Sequence, residues 1–264
     1  SKEGHRLMLG IGQIATRIAE LIRGALPYAI VNNNPDASAF ARLVSYREVQ
    51  QAIDAGHLWI KVKPSDTDYM NFTVDNDYTK IESSWGARFT NTNTATNNHV
   101  IVVSGSYCTL TGLRTYTAGQ ATSNDRRGFN LTGNRNFIIN CYVEDSDGSG
   151  FATVATDNTF QSCLVKDADD YGFYIGASYE SIIGCRTVSS GTGPIHFTSA
   201  GDYCVVVGNA FQDTGNVGVV TAAIDGVMVG NSINGSISIS QASAWILGST
   251  TSPSSDPPGA NKLY

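Results

Sequence analysis

The same residue types recur every 22 positions through the middle of this chain, and this repeat limits its possible folds more than any other feature. Glycine, cysteine, aromatic and aliphatic residues each form a column at that spacing. The columns are Gly128, Gly150, Gly172 and Pro194; Cys141, Cys163 and Cys185; Phe129, Phe151, Phe173 and Ile195; and Leu131, Thr153, Ile175 and Phe197. After a two-residue insertion, Asn209 and Asn231 are again 22 apart. Agreement of several columns in one phase indicates a structural repeat.

Each period is interpreted as one coil of a solenoid, in which equivalent residues stack on neighbouring coils at the strand spacing of about 4.8 Å. The column that begins at Phe129 is expected to point inward. The column between the two inward ones should point outward, because successive side chains of a strand alternate. Its members are Asn130, Ala152, Tyr174 and His196. The sequence therefore predicts an all-β fold, a right-handed parallel β-helix with coils of about 22 residues.

The chain divides into four predicted segments. They are a helical neck over residues 1–31, a linker over 32–44, the β-helix over 45–248, and a tail over 249–264. Ser45 and Glu48 match a capping box, which predicts a short capping helix through Ala55 that Gly56 ends. A strand is expected next, at Leu58–Val62.

The neck carries a heptad pattern of large aliphatic residues. Its seam consists of Leu7, Ile11, Ile14, Ile18 and Leu21. Isoleucine at both core positions favours trimers or tetramers over dimers, so the seam predicts a trimeric coiled coil. An ordinary amphipathic helix that packs on its own domain fits the same short pattern.

Composition and charge argue against several classes of protein. The formal net charge is −6, which does not suit a general nucleic-acid binder. The apolar stretch 7–31 contains Arg17, Glu20 and Arg23, so it is a poor candidate for insertion into a membrane. The five cysteines form no CxxC pair, and neither a metal site nor a cofactor is expected. We expect the column from Cys141 to Cys185 to hold small, unreactive thiols; one disulfide between neighbours is an alternative.

Carboxylates also follow the repeat. Asp147 and Asp169 form a ladder with Asp125, and Asp170 lies beside it. Stacked carboxylates repel each other and raise a pKa, and glycosidases use paired carboxyl groups at comparable separations. Asp147, Asp169 and Asp170 are therefore candidate catalytic residues. A calcium site fits the same ladder. The favoured interpretation is a solvated corner, because aspartate is a common turn residue.

Aromatic residues provide a candidate binding site. Tyr174 and His196 share an outward column, with Tyr171 and Asp167 nearby in sequence. Tyr142 and Tyr179 could lie near them. Aromatic rings beside carboxylate and amide groups suit glycans, which need both ring contact and hydrogen bonds. A trimer interface is the alternative, because interfaces are also enriched in aromatic residues.

The neck, the helix, the strand and the coils NNHVIVVSGSYCTLTGL and NTFQSCLVKDADDYGFYIG together resemble bacteriophage tailspike and tail-fibre proteins of the pectate-lyase-like superfamily. The resemblance implies a homotrimer that is assembled in the host cytoplasm and located on the virion. It also implies contacts with other tail or baseplate proteins and with host cell-surface polysaccharide. Since many tailspikes are much longer, a short fibre or a fragment is expected. Three functions fit: a binding appendage, a depolymerase that acts as hydrolase or lyase, and a purely structural tail component.

Overall fold

The computed structural model describes most of the chain. The described residues are 15–22, 25–35, 38, 41, 45–84, 87–91, 99–117, 126–198, 201–212, 220–221, 225–234, 238–239, 244–250 and 262–263. Leu7, Ile11 and Ile14 of the neck seam and Asp125 of the acidic ladder lie outside them. Within the described part, no helix combines the length and the hydrophobicity that are needed to span a bilayer.

The strands stack in parallel into three faces, which confirms the right-handed parallel β-helix. Face 1 consists of β4 (Phe72–Val74), β7 (Ile101–Val103), β10 (Phe129–Leu131), β13 (Phe151–Thr153), β16 (Tyr171–Ile175), β19 (Gly193–Phe197), β22 (Val220–Thr221) and β24 (Ser238–Ile239). Face 2 consists of β1 (Ala29–Val31), β2 (Trp59–Val62), β5 (Lys80–Ser83), β8 (Thr109–Thr111), β11 (Phe137–Ile139), β14 (Thr159–Gln161), β17 (Ser181–Ile183), β20 (Cys204–Val207), β23 (Asp225–Ile233), β25 (Ala244–Thr250) and β26 (Lys262–Leu263). Face 3 consists of β3 (Tyr69–Met70), β6 (Arg88–Thr90), β9 (Arg114–Tyr116), β12 (Tyr142–Asp145), β15 (Leu164–Lys166), β18 (Arg186–Val188), β21 (Ala210–Gln212) and the end of β23.

The coils keep their strand register while their lengths change. Phe129 pairs with Phe151, and Phe151 pairs with Phe173, at the expected offset of 22 residues. The offset is 29 residues between Lys80 and Thr109. It is 24 residues for the pairing of β17 with β20. The additional residues of the longer coils therefore lie in the turns between strands.

The inward columns form the core. The rings of Phe129 and Phe151 stack at 4.8 Å between centroids, and those of Phe151 and Phe173 stack at 5.2 Å. All three are fully buried, as predicted. A Cβ atom on Gly150 would lie 2.6 Å from Val165 Cγ1, so the glycine column marks a close approach of face 1 to face 3.

The capping helix begins later than the sequence predicts. It spans Val49–Asp54, and its capping box joins Glu48 to Gln51. The predicted box of Ser45 and Glu48 was therefore wrong. Tyr46 instead forms a parallel bridge to the first strand of face 2, which holds this segment extended and delays the helix.

The capping helix covers the N-terminal end of the solenoid. Val49, Ala52 and Ile53 are its buried residues, and they belong to the hydrophobic core. Gly56, which follows the helix, has a φ of 82°. That left-handed conformation ends the helix where the sequence predicts.

The predicted segment boundaries differ from the structure at both ends. β1 lies inside the range that the sequence assigned to the neck, and β26 lies inside the predicted tail. A helix covers residues 15–22. In the single chain, Ile18 and Leu21 of the seam are 48% and 73% exposed. Trimerisation through the seam stays a prediction.

The corner between face 2 and face 3 carries a ladder of buried side chains that accept backbone hydrogen bonds. The N–H of Cys163 donates to Cys185 Sγ at 3.4 Å. The N–H of Cys185 donates to Asn209 Oδ1 at 2.7 Å, and the N–H of Asn209 donates to Asn231 Oδ1 at 2.9 Å. The Cys185 thiol thus accepts a backbone hydrogen bond at this corner, as the side-chain oxygens of Asn209 and Asn231 do on the following coils. All five cysteines of the chain are free, and burial raises the pKa of Cys141 to about 12.

The corner between face 1 and face 2 has a second ladder, which contains one acid. The N–H of Cys108 donates to Asn136 Oδ1 at 2.7 Å, and the N–H of Asn136 donates to Asn158 Oδ1 at 2.8 Å. Asn158 Nδ2 donates to Glu180 Oε1 at 3.4 Å. Glu180 is fully buried, and none of the described residues donates to its Oε2. Burial raises the pKa of Glu180 to about 9.

Replacement of Glu180 by Gln should stabilise the protein increasingly from about pH 5 to about pH 9. The folded state keeps a proton that the unfolded state loses above its pKa of about 4.3. The wild-type free energy of unfolding is therefore highest below that pH and falls as the pH rises towards the folded pKa. At pH 7 we expect Glu180→Gln to gain about 3 kcal/mol. Urea unfolding of both proteins across this pH range measures the difference.

Glu82→Gln is the matched control, with an effect of opposite sign. Hydrogen bonds from Lys80 and Trp59 lower the pKa of Glu82. This group stabilises the fold above the pKa of the unfolded carboxyl, and the contribution disappears in acid. Parallel pH profiles for wild type and Glu180→Gln would contradict the assignment of a protonated Glu180.

Candidate functional site

The outward side of face 1 brings together three aromatic side chains that the sequence singled out. Tyr171 and Tyr174 lie on β16, and His196 lies on β19 of the next coil. The ring centroids of Tyr171 and His196 are 4.7 Å apart at 18°. Those of Tyr174 and His196 are 5.4 Å apart at 29°. Tyr171, Tyr174 and His196 form what we call the aromatic cluster.

Three polar residues border the aromatic cluster. The Arg127 guanidinium lies over the Tyr174 ring, 5.3 Å from its centroid. Arg127 also donates to Asn130 Oδ1 at 2.9 Å. Asp170 accepts a hydrogen bond from the Ser149 hydroxyl at 3.2 Å. We call Arg127, Asn130 and Asp170 the polar border.

Partial burial sets the charge state of the cluster. Desolvation lowers the pKa of His196, although the nearby Asp170 carboxylate opposes this shift. His196 is therefore neutral at pH 7. Its Nδ1 is buried, and none of the described residues provides it with a hydrogen-bond partner. Burial also raises the pKa of Tyr171, so this hydroxyl keeps its proton.

The cluster has the chemistry of a sugar-binding surface. Half-buried rings offer apolar contact at a low cost in conformational entropy, and tyrosine hydroxyls offer hydrogen bonds. Arg127 adds donors, whereas Asp170 adds acceptors. A pyranose presents apolar C–H groups on its faces and hydroxyl groups at its edge, and it can contact both kinds of group at once.

Some residues that the sequence associated with this site lie elsewhere. Asp167 occupies an exposed turn after β15, where it contacts Lys166 at 3.4 Å. Tyr142 lies on face 3 beneath Arg114. The Tyr179 ring stacks on Tyr203 at a corner. The structure therefore joins Tyr171 to Tyr174 and His196, and these contacts do not extend to Asp167.

The structure adds Arg127 to the site, which the sequence analysis did not identify. Arg127 precedes β10, two coils before Tyr174. Column phase relates equivalent positions, but it does not show how far a long side chain reaches along the solenoid. Asn130, by contrast, belongs to the predicted outward column of Tyr174 and His196, but Asn130 and Ala152 of that column are buried.

The carboxylates that were considered for catalysis have separate partners. Asp147 forms an ion pair with Arg126, and these side chains are only 5% and 2% exposed. The positive charge of Arg126 balances the negative charge of Asp147, and this favours a structural role for the carboxylate. Asp169 is exposed, and Asp170 bonds to Ser149 in the polar border. Catalysis by these three aspartates stays a prediction.

Comparisons with known proteins point to β-helices. A family model described as "Periplasmic copper-binding protein (NosD)" matches residues 54–252. The solved enzymatically active domain of tailspike protein 2 from bacteriophage CBA120 is 16% identical, with a TM-score of 0.53 over 69% of this chain and 35% of that chain. Full-length tailspike protein 2 from an Escherichia coli O157:H7 bacteriophage is 16% identical, with a TM-score of 0.45 over 77% of this chain and 34% of that chain. A search of curated proteins found no match.

The two tailspike comparisons concern the fold and only part of each tailspike chain. The resemblance to the tailspike domain is a resemblance of fold, and it confirms a tailspike-like β-helix. The chain spans about a third of the length of the two tailspike structures.

The copper named in the family description can be tested against the donors in this chain. Copper sites in proteins use thiolate or imidazole groups that converge on one point. Within the described residues, no three His, Cys, Asp or Glu side chains converge in this way. Cys141 and Cys163 donate their thiol protons to backbone carbonyls, and burial raises both pKa values. The described side chains therefore do not fit a copper site.

The ion pair predicts that Asp147→Asn destabilises the fold. The substitution leaves the Arg126 charge buried without its counter-ion, which costs about 3 kcal/mol or more. Asp169→Asn is the control, because this exposed carboxylate should change the free energy of unfolding by less than about 0.5 kcal/mol. Chemical denaturation measures both variants. Equal stabilities would show that the Asp147–Arg126 pair is not a structural element.

Proposed function

The chain belongs to the family described as periplasmic copper-binding protein (NosD), and on this β-helical scaffold we propose that it binds host cell-surface polysaccharide as a component of a phage tail fibre or tailspike. The observation that carries the proposal is the aromatic cluster with its polar border on the outward side of face 1. Rigid rings and fixed polar groups are presented together there, on strands that the core holds in place.

The phage assignment rests on the architecture. The tailspike-like β-helix and the exposed seam residues Ile18 and Leu21 support a homotrimeric appendage joined through the neck. In this proposal the protein is located on the virion and is attached to other tail or baseplate proteins. Nucleic acid and membrane have no part in it.

We propose binding without cleavage. A glycosidase needs two carboxyl groups that act on one bond, with one of them able to hold a proton. Asp147 is engaged by Arg126, and Asp170 is engaged by Ser149. The depolymerase alternative therefore depends on Asp169, the exposed one of the three candidate carboxylates.

Tyr174→Ala should weaken glycan binding about tenfold, because the ring that lies between Arg127 and His196 is removed. The first step is a screen of the intact protein on an array of bacterial lipopolysaccharides and capsular polysaccharides. Calorimetry of the variant with the best binder then gives the loss. Tyr142→Ala is the matched control, because Tyr142 is also half-buried and lies near an arginine, but on face 3.

Other outcomes would replace the proposal. New reducing ends or unsaturated products that disappear in Asp169→Asn would support the depolymerase. Capture by purified tail proteins, with no glycan bound, would support a structural component. A similar loss in Tyr142→Ala and Tyr174→Ala would place the binding surface elsewhere.

Ile18→Asp should dissociate the trimer, because it introduces charge into an apolar seam. Light scattering of the intact protein would then give a monomer mass. Arg17→Asp is the control, since Arg17 is exposed beside the seam position and does not belong to the seam. An unchanged mass in Ile18→Asp would refute the trimeric neck.

A further inference from the structure

One corner of the solenoid carries a continuous row of large side chains. The row lies just before the face 2 strands of six consecutive coils, one residue before β20 and two residues before each of the others. Its members are Tyr78, Tyr107, Arg135, Asp157, Tyr179 and Tyr203. We call this row the tyrosine rib.

The residue types of the rib conflict with its backbone conformation. All six residues have positive φ, between 56° and 64°. This left-handed region disfavours bulky residues such as tyrosine, and it favours glycine, asparagine and aspartate. Such strain persists where the surrounding structure maintains it, and strained residues cluster at functional sites.

The other tight corner shows that the fold does not require these side chains. Between faces 2 and 3, the equivalent positions also have positive φ, and they carry small residues. They are Gly112, Asn140, Ser162, Gly184, Gly208 and Gly230. The same turn is therefore built without tyrosine, so the turn alone does not account for the rib side chains.

The rib side chains point into solvent. The four tyrosines are between 41% and 66% exposed. Tyr78 stacks on Tyr107 at 5.1 Å, and Tyr179 stacks on Tyr203 at 5.2 Å. Arg135 donates to the Tyr107 hydroxyl and forms an ion pair with Asp157 at 3.4 Å. The contacts hold the row in order while its outer edge stays open.

The order of residues along the rib is self-complementary. An aromatic pair lies at each end, and one positive and one negative residue lie at the centre. A second rib in the opposite direction would match them as follows: Tyr78 with Tyr203, Tyr107 with Tyr179, and Arg135 with Asp157. A two-fold interface has this property, because residue i meets j while j meets i.

We propose that the tyrosine rib is a contact surface between two copies of this chain that lie antiparallel. Each Arg135 then faces Asp157 of the other copy, and the aromatic pairs meet at both ends. A parallel arrangement would place Arg135 against Arg135. The neck would join copies in parallel, so the rib joins copies from different neck assemblies.

A second copy suits the rib better than a glycan does. Within each stacked pair, the tyrosines cover each other's inner faces and present edges and hydroxyl groups. Tyrosine and arginine are enriched at protein interfaces relative to the rest of the surface.

The test is a charge exchange in the full-length chain. Arg135→Asp places two negative charges at the centre of the rib, and Asp157→Arg places two positive charges there. Each variant alone should have a lower mass than the wild-type species in analytical ultracentrifugation. A mixture of the two variants should regain the wild-type mass, because Asp faces Arg at both central positions. The repulsion inside each chain persists in the mixture, so only a contact between chains explains the rescue.

Two further variants separate association from folding and fix the orientation. Tyr107→Asn should relax the left-handed backbone and keep the fold, and it should reduce the wild-type mass. Tyr78→Cys mixed with Tyr203→Cys should form a disulfide-linked pair under mild oxidation, whereas either variant alone should not. A wild-type mass that none of these substitutions changes overturns the proposal. Loss of glycan binding with unchanged mass would identify the rib as a sugar surface instead.

Discussion

The parallel hydrogen-bond ladder between successive coils is the interaction on which the rest of this structure depends. It holds equivalent residues about one strand spacing apart, so each side chain lies against the side chain at the same position on the next coil. Phe129, Phe151 and Phe173 therefore form a continuous ring stack inside the solenoid. At the corners, the same ladder turns Cys185 and Asn209 into acceptors for the backbone of the preceding coil.

The ladder also explains why buried polar groups occur in regular rows. The side-chain oxygens of Asn136 and Asn158 each accept a hydrogen bond from the backbone of the preceding coil, whereas Glu180 follows them with an oxygen that this ladder leaves unsatisfied. One residue of such a row can lack a hydrogen-bond partner while the fold is kept, because the neighbouring coils still determine the backbone. The unsatisfied group lowers the stability of the protein. The result is a carboxyl group that stays protonated at neutral pH.

The outer surface has more freedom, and the candidate functions lie there. The aromatic cluster on face 1 presents half-buried rings with Arg127 over one of them, which suits a glycan. The tyrosine rib presents ring edges with Arg135 and Asp157 at its centre, which suits a second copy. In both cases the coils supply rigid spacing and the side chains supply the chemistry.

The sequence by itself determined the coil, its inward columns, and the outward placement of Tyr174 and His196. The reason is that residues at the same position of the 22-residue repeat stack on one another in neighbouring coils. It also predicted that Gly56 ends the capping helix. Tertiary structure alone decided which neighbours each polar side chain meets. Asp147 pairs with Arg126 and Asp167 turns towards Lys166, and the helix begins only after Tyr46 has joined the sheet. These contacts depend on the reach of side chains across coils and on competition for backbone partners, and neither is written in the spacing of residues along the chain.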